Sequence, residues 1–190
     1  MATLQEIRVR VSRKTQDPDN TARSSGVVDE EINRAVRYYQ KYRFWFNETE
    51  SSITLTANTQ VVPSIPSDLT SELQVNGLML IDSQVKIDLQ KLLPNQFFER
   101  DDDQKGRPYF YTYRNGEFLL LPTPDSAYTL KFRYLKKYSA LVDDSDTNDF
   151  TDNAEDLIML HAIKNIYAEE KQDPQLAGYY AELERDELRA

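Results

Sequence analysis

The sequence YYQKYRFWFNE at residues 38–48 decides how this chain folds. Six of the nine residues from Tyr38 to Phe46 are aromatic, and they include the only tryptophan. The stretch lies where a helical spacing of apolar residues ends and an alternating spacing begins. Because so many aromatic side chains need a large apolar partner surface, the stretch predicts a junction in a core or an assembly contact. Catalytic residue types are nowhere concentrated in this way, which favours a building block over an enzyme.

Before this stretch the pattern is helical. Thr3 and Glu6 have the spacing of a capping box, which predicts a short helix that ends at about Lys14. A second helix is expected over residues 30–43, with Asp29 as its N-cap. Its apolar residues recur at helical spacing, so one face of it should be buried.

After residue 51 apolar and polar residues alternate, which predicts seven or eight short strands up to residue 142. Residues 53–57, 60–62 and 128–134 are three of them, and Asn115-Gly116 predicts a hairpin turn.

From residue 143 the pattern is helical again. One helix is expected over residues 156–171, and Asp173-Pro174 marks the start of a last helix that continues to the end.

The fold class is therefore predicted to be α+β. The N-terminal helices (residues 1–50) and the acidic C-terminal helices (143–190) should pack as a helical bundle. Residues 51–142 should form a central antiparallel β insertion of sandwich or barrel type.

Composition limits the class of protein. The 190 residues fit one domain with an insertion, and the hydrophobic content of 39% is low enough to suggest that partners complete the burial. There is no cysteine, no apolar run that could span a bilayer, and no apolar segment of a signal peptide at the start. We expect a cytoplasmic product that needs no disulfide and is not exported by the general secretory route.

The charge is concentrated at one end. Residues 143–190 carry 14 acidic and 4 basic side chains, whereas the rest of the chain is nearly neutral. Free-standing DNA-binding proteins usually have the opposite sign. Two interpretations stay open, namely a solvated helical end, or a surface that meets a basic partner or repels DNA phosphates.

No pattern predicts a catalytic or cofactor site. His161 is the only histidine and there is no cysteine, so neither a transition-metal site nor a histidine–nucleophile pair is expected. Glycine is too scarce for a phosphate-binding loop. The carboxylates of residues 101–103 are expected in a solvated loop rather than in an active site.

The acidic segment after residue 143 partly matches a calcium-binding loop. Oxygen ligands recur at Asp144, Asp146, Asn148 and Glu155, but the glycine that the sharp turn requires is replaced by Asp149. The favoured interpretation is a linker that caps the next helix, with weak binding of Ca²⁺ or Mg²⁺ as the alternative.

The first helix carries a small basic face, made by Arg8, Arg10, Arg13 and Lys14. Solubility and salt bridges to partners explain such a face most simply. Contact with DNA phosphates in a channel is the alternative.

A series of short motifs resembles, in order and spacing, the head-to-tail adaptor proteins of tailed bacteriophages. The resemblance covers residues 28–185. The motifs are RFWFNE (43–48), ITLT (53–56), QVVP (60–63), IPSDL (65–69), GRPYF (106–110), LLLP (119–122), YTLKFRY (128–134), TN (147–148) and AEDL (154–157).

The resemblance implies a subunit of a ring, usually of twelve copies, that docks beneath the portal protein at a capsid vertex. Such a ring extends the DNA channel, lets double-stranded DNA pass without sequence-specific binding, and receives a distal tail, nozzle or fibre protein. The helical part would face the portal and neighbouring copies, and the β part would help to form the ring and the surface that faces the tail. No catalytic residue, cofactor or membrane is implied, and the protein would be assembled in the host cytoplasm into the virion neck.

The candidate site residues follow from this interpretation. Phe44, Trp45 and Phe46 should hold the junction between helix and β insertion, and Tyr39 and Tyr42 should pack in the helical core. On the last helix, the candidates for docking to the portal or to a neighbouring copy are Tyr179, Tyr180 and Leu183. Deletion of residues 173–190 is expected to leave a folded protein that no longer joins the portal.

Two other functions remain open. The chain could be another neck or tail component, such as a head-completion or tail-terminator protein. It could also be a carbohydrate-binding or carbohydrate-active β module, which would require an exposed aromatic platform and a cleft with two carboxylates.

Overall fold

The computed structural model describes residues 2–15, 25–73, 77–100 and 104–189, apart from the side chain of Ser25. Between residues 165 and 171 the helical chain continues as one π-helical segment, Ile166–Glu170. The described helices are α1 (Leu4–Lys14), α2 (Ser25–Tyr39), α3 (Pro94–Arg100), α4 (Asp149–Asn153), α5 (Glu155–Asn165) and α6 (Pro174–Glu187). The described strands are β1 (Glu48–Thr54), β2 (Leu69–Glu72), β3 (Leu78–Asp82), β4 (Val85–Asp88), β5 (Gln90–Lys91), β6 (Lys105–Gly106), β7 (Phe110–Arg114), β8 (Glu117–Leu121), β9 (Thr123–Pro124) and β10 (Thr129–Lys136).

The chain divides into two compact units. The helical unit comprises Met1–Asn47 and Tyr138–Ala190, and the β unit comprises Glu48–Lys137. Helices and antiparallel strands together confirm the predicted α+β class, with helices at both ends of the chain.

The helical unit is built around α5. This helix is buried from Leu157 to Ile163, with α2 and α6 packed against it and α1 packed against both α2 and α5. The apolar residues of α1 point into the same core because Leu4, Ile7 and Val11 recur at helical spacing. A helix buried on nearly all sides is what the broad apolar face of α5 requires.

The β unit has its own core. Its main antiparallel sheet has the strand order β1-β10-β3-β4, with β2 also paired to β10. A second sheet has the order β5-β7-β8, and β6 and β9 form a short parallel pair. Apolar side chains from these strands pack together, and the largest that are fully buried are Phe118, Phe132, Leu78, Leu80, Leu120 and Leu130.

Three local predictions are confirmed because short-range chemistry determines them. Thr3 and Glu6 form the predicted capping box of α1. The turn between β7 and β8 has Asn115 and Gly116 at φ 53° and 84°, as a type I′ hairpin turn requires. Asp173 caps α6, and Pro174 follows as its first residue.

Other element boundaries differ from the prediction. Helix α2 begins at Ser25 and ends at Tyr39, so Asp29 lies inside it and does not cap it. Residues 60–62 form no strand, only a bridge between Val61 and Leu119. Strand β1 begins at Glu48, well before the predicted position, because β10 pairs with its polar first half as well. Residues 101–103 lie outside the described residues.

None of the helices in the described ranges is long and apolar enough to cross a membrane.

Candidate assembly surface of the helical unit

A buried asparagine shapes the segment that follows α2. Asn47 is fully buried, its side-chain oxygen accepts the Phe44 N–H at 2.9 Å, and its amide group donates to the Tyr42 carbonyl at 2.8 Å. These two bonds close a tight turn over residues 42–47. The sequence interpretation missed Asn47, although a lone Asn at the end of an aromatic run is a usual signal for such a turn.

The turn directs two of its aromatic rings inward. Phe44 and Phe46 stack at 5.2 Å, and both meet the edge of the fully buried Phe150 ring of α4, at 5.7 Å and 5.1 Å. Edge-to-face contacts of this kind add to the burial energy of each ring. These two residues therefore anchor the turn on the helical core, and their predicted role at the junction with the β unit stays a prediction.

The other rings of the same stretch lie on the surface. Trp45 is 80% exposed, and Tyr38 and Tyr42 are 44% and 48% exposed. The hydroxyls of the two tyrosines lie 3.1 Å apart. The prediction that Tyr42 packs in the core is wrong, because α2 ends at Tyr39 and the chain then turns Tyr42 outward. Tyr39 is buried in the core as predicted.

A buried polar network lies directly beneath these exposed rings. The carboxylate of Glu184 on α6 accepts hydrogen bonds from the Tyr39 hydroxyl and from Lys164 at 2.7 Å, and His161 Nδ1 lies 2.5 Å from it. The ring of Tyr38 stacks on the imidazole at 4.9 Å. Tyr39, Lys164 and Glu184 thus tie α2, α5 and α6 together.

The electrostatics of the network follow from its donors. Burial alone would raise the pKa of Glu184, but the hydrogen bonds from His161, Lys164 and Tyr39 outweigh it and lower this pKa to about 2. Burial and the bond to Glu184 raise the pKa of Tyr39. The carboxylate is therefore charged at neutral pH and the phenol keeps its proton to donate.

Of the three predicted docking residues on α6, one is exposed to solvent. Tyr179 is 55% exposed, and Leu183 is half-buried. Tyr180 stacks on the buried Tyr167 at 5.5 Å, so it belongs mainly to the core. The docking role of the three residues stays a prediction.

The predicted basic face of α1 is divided between internal pairs and solvent. Arg8 donates to both carboxylate oxygens of Asp29 at 2.6 Å and 2.8 Å and to Asp144 at 2.7 Å. Arg10 pairs with Glu155. Arg13 and Lys14 are exposed and have no ion-pair partner within the described parts of the chain. Two of the four cations are therefore used within the fold.

The acidic linker after residue 143 also makes contacts within the fold. Asp146 accepts the N–H groups of Val142 and Asp143 at 2.7 Å and 2.9 Å, which lowers its pKa. Asn148 caps α4 by accepting from the N–H groups of residues 150 and 151. In the described ranges, no cluster of three or more His, Cys, Asp or Glu side chains is arranged to hold a metal ion.

The chain combines a β unit with a helical unit that has exposed aromatic rings. This architecture suits a structural protein that assembles with other proteins. A comparison with protein families identifies the class of protein more closely, because the family model described as SU10 adaptor protein matches residues 2–190. The chain belongs to the SU10 adaptor protein family. This membership indicates a phage adaptor with a structural role in the neck of the virion. The match also includes residues 2–27, which the motif resemblance did not cover. A search of curated proteins found no match.

Proposed function

We propose that this protein is a structural subunit of the phage head–tail connector. Copies of it form a ring beneath the portal, extend the DNA channel and attach the distal tail, nozzle or fibre protein. Twelve copies would match the usual ring of the adaptor proteins that the chain resembles, and double-stranded DNA would pass through without sequence-specific binding. Assembly would take place in the host cytoplasm.

The observation that carries this proposal is the adaptor family match over nearly the whole chain. The exposed aromatic rings of the helical unit support it, because a chain with only 39% hydrophobic residues still leaves Trp45 80% exposed and Tyr42 and Tyr179 about half exposed. Exposed aromatic side chains are enriched in protein–protein contacts.

The test is the mass of the purified chain by light scattering, alone and mixed with the portal ring of the same phage. We expect a complex that carries about one adaptor per portal subunit, even if the free chain is monomeric. Tyr179→Ala should reduce this loading. Tyr113→Ala, which alters a similarly exposed tyrosine of the β unit, is the matched control.

Absence of association at every salt concentration would contradict the proposal. Binding to the end of a tail tube instead of the portal would indicate a tail-terminator protein. Binding to neither, together with binding to oligosaccharides, would indicate a carbohydrate module.

A further inference from the structure

The end of α2 forms an exposed surface that is both aromatic and basic. We name it the α2 patch and define it by Arg37, Tyr38, Lys41, Tyr42 and Trp45, all of which are exposed. Among the large hydrophobic side chains exposed in the described residues of the helical unit, three of seven lie here. Residues 37–47 contain three basic residues and no acidic one. The α2 patch is therefore an exposed aromatic surface with two cations, Arg37 and Lys41.

The α2 patch is held rigidly from below. Tyr38 stacks on His161, and the adjacent Tyr39 donates to the buried Glu184. On the other side, the two bonds of Asn47 fix the turn that exposes Trp45. A rigid aromatic surface loses little conformational entropy on binding, which is the property of residues that dominate interfaces.

The exposed side of α6 carries acidic residues and a tyrosine, which complement the basic and aromatic residues of the α2 patch. Gln175, Tyr179, Glu182 and Asp186 recur at intervals of three and four, so they form one ridge, which we name the α6 stripe. Ala177 and Glu184, the buried residues of the helix, lie on its opposite side. The stripe has two carboxylates that follow an exposed tyrosine along the helix. Within the described residues no cation pairs with Glu182, whereas Asp186 lies 3.9 Å from the exposed Arg189 of the same helix.

We propose that the α2 patch of one copy binds the α6 stripe of a second copy. Lys41 and Arg37 would face Glu182 and Asp186, and Trp45 and Tyr42 would pack on Tyr179. Two different surfaces of the chain meet in this contact, so it repeats head to tail and closes into a ring when the rotation between copies allows. The inference rests on the proposed ring and names the surfaces that build it.

The charge pattern favours a second copy over DNA as the occupant. The α2 patch offers few cations for phosphates, and the same unit contains residues 143–190 with 14 acidic side chains. Exposed rings with a few flanking cations match a protein surface that carries carboxylates next to an exposed aromatic ring.

The absence of cysteine allows a direct test by cross-linking. Cysteines would be introduced at Lys41, at Glu182 and at both positions, and each purified full-length variant would be treated with a short thiol cross-linker over a range of concentrations. We expect a ladder of covalent oligomers from the double variant, a dimer from a mixture of the two single variants, and no product from either single variant alone. A product from Lys41→Cys alone would show a patch-to-patch contact and overturn the inference.

Charge reversal gives an independent measurement that does not depend on cross-linker geometry. Lys41→Glu and Glu182→Lys should each weaken self-association, measured by analytical ultracentrifugation, by roughly tenfold. The two changes in one chain should restore most of the loss. Trp45→Ala should weaken association by a similar factor, and Val142→Ala, at a residue that is 75% exposed, is the matched control.

Other results separate this inference from the proposed function. A ring that assembles on the portal without any Lys41–Glu182 cross-link would overturn the inference and leave the proposed function standing. Failure to load onto the portal, by contrast, would count against the proposed function itself. If the protein shifted a DNA fragment in a gel and Lys41→Glu and Trp45→Ala abolished the shift, the α2 patch would be a DNA surface, and the inference would fail.

Discussion

Glu184 shows how one residue can hold a terminal helix in place. Its carboxylate is buried, and its charge is balanced by donors from two other helices. A charged group of this kind costs free energy to bury, but removing it leaves the half-buried Lys164 without its carboxylate partner. The residue is therefore a point at which folding of the whole helical unit can be tested.

We expect Glu184→Gln to lower the free energy of unfolding by about 3 kcal/mol, because a neutral amide cannot balance the charge of Lys164 and is a weaker acceptor for Tyr39. Urea unfolding followed by circular dichroism measures the change. Glu182→Gln, on the exposed side of the same helix, should stay within about 0.5 kcal/mol of the native protein. Equal effects of the two substitutions would show that the buried network contributes nothing.

The low pKa of Glu184 also predicts how stability depends on pH. Because this pKa falls from an ordinary value of 4.5 to about 2 on folding, the stabilisation is complete above 4.5 and is lost as pH falls towards 2. A shift of this size corresponds to roughly 3 kcal/mol. The native protein should therefore lose more stability than Glu184→Gln between these pH values, as measured by urea midpoints. Parallel pH curves for the two proteins would contradict the assignment, since all other carboxylates are common to both.

Asn47 determines which aromatic rings face outward. In Asn47→Ala the Phe44 N–H and the Tyr42 carbonyl lose their partner, and we expect a loss of about 1–3 kcal/mol in stability. The fluorescence of Trp45 should change as well, since the turn that presents it is no longer fixed. Thermal unfolding measures the change in stability, and the emission spectrum reports on Trp45. Asn95→Ala, at an exposed asparagine, is the control. Unchanged stability and emission would show that the aromatic rings alone hold the turn.

At the scale of the element, α6 belongs to the core as well as to the surface. Ala177 and Glu184 are buried, and Tyr180 stacks on Tyr167. The expectation that deletion of residues 173–190 leaves a folded protein therefore needs revision. We expect the truncated chain to lose cooperative unfolding in a thermal melt, whereas Glu182→Lys keeps it. A truncated chain that still unfolds cooperatively would show that α6 is an appendage.

The elements that could be predicted are those marked by local chemistry. The capping box of α1, the Asn115-Gly116 turn and the Asp173-Pro174 helix start depend on neighbours in sequence, and all three are present. The end of α2 and the start of β1 depend on tertiary partners instead. Asn47 closes the turn that follows α2, and β10 extends the ladder back to Glu48, so periodicity alone placed both boundaries incorrectly.

The same distinction holds for the candidate site. The aromatic run marked the right segment, but which rings are exposed depends on where α2 ends and on the bonds of Asn47. The network around Glu184 joins residues 145 positions apart in the chain, and the lone His161 gave no signal of it. Long-range pairing of this kind has no periodic pattern in a single sequence.

At the scale of the whole molecule, the β unit has the features of an independently folding insertion. Its two ends lie side by side, because Glu48 pairs with Leu135 in the β1–β10 ladder. It also has a separate hydrophobic core. Domains whose termini are close together tolerate insertion into, and excision from, another domain.

We therefore expect residues 48–137 to fold when expressed alone, with β-type circular dichroism and cooperative thermal unfolding. The helical unit, with these residues replaced by a short Gly-Ser linker, should also fold, because its core is complete without them. If the helical unit faces the portal, as the resemblance to head-to-tail adaptors implies, this shortened chain should still bind the portal ring in light scattering, while the β unit alone should not. The opposite result, with binding by the β unit only, would reverse the orientation of the adaptor in the neck and assign the α2 patch and the α6 stripe to the tail side.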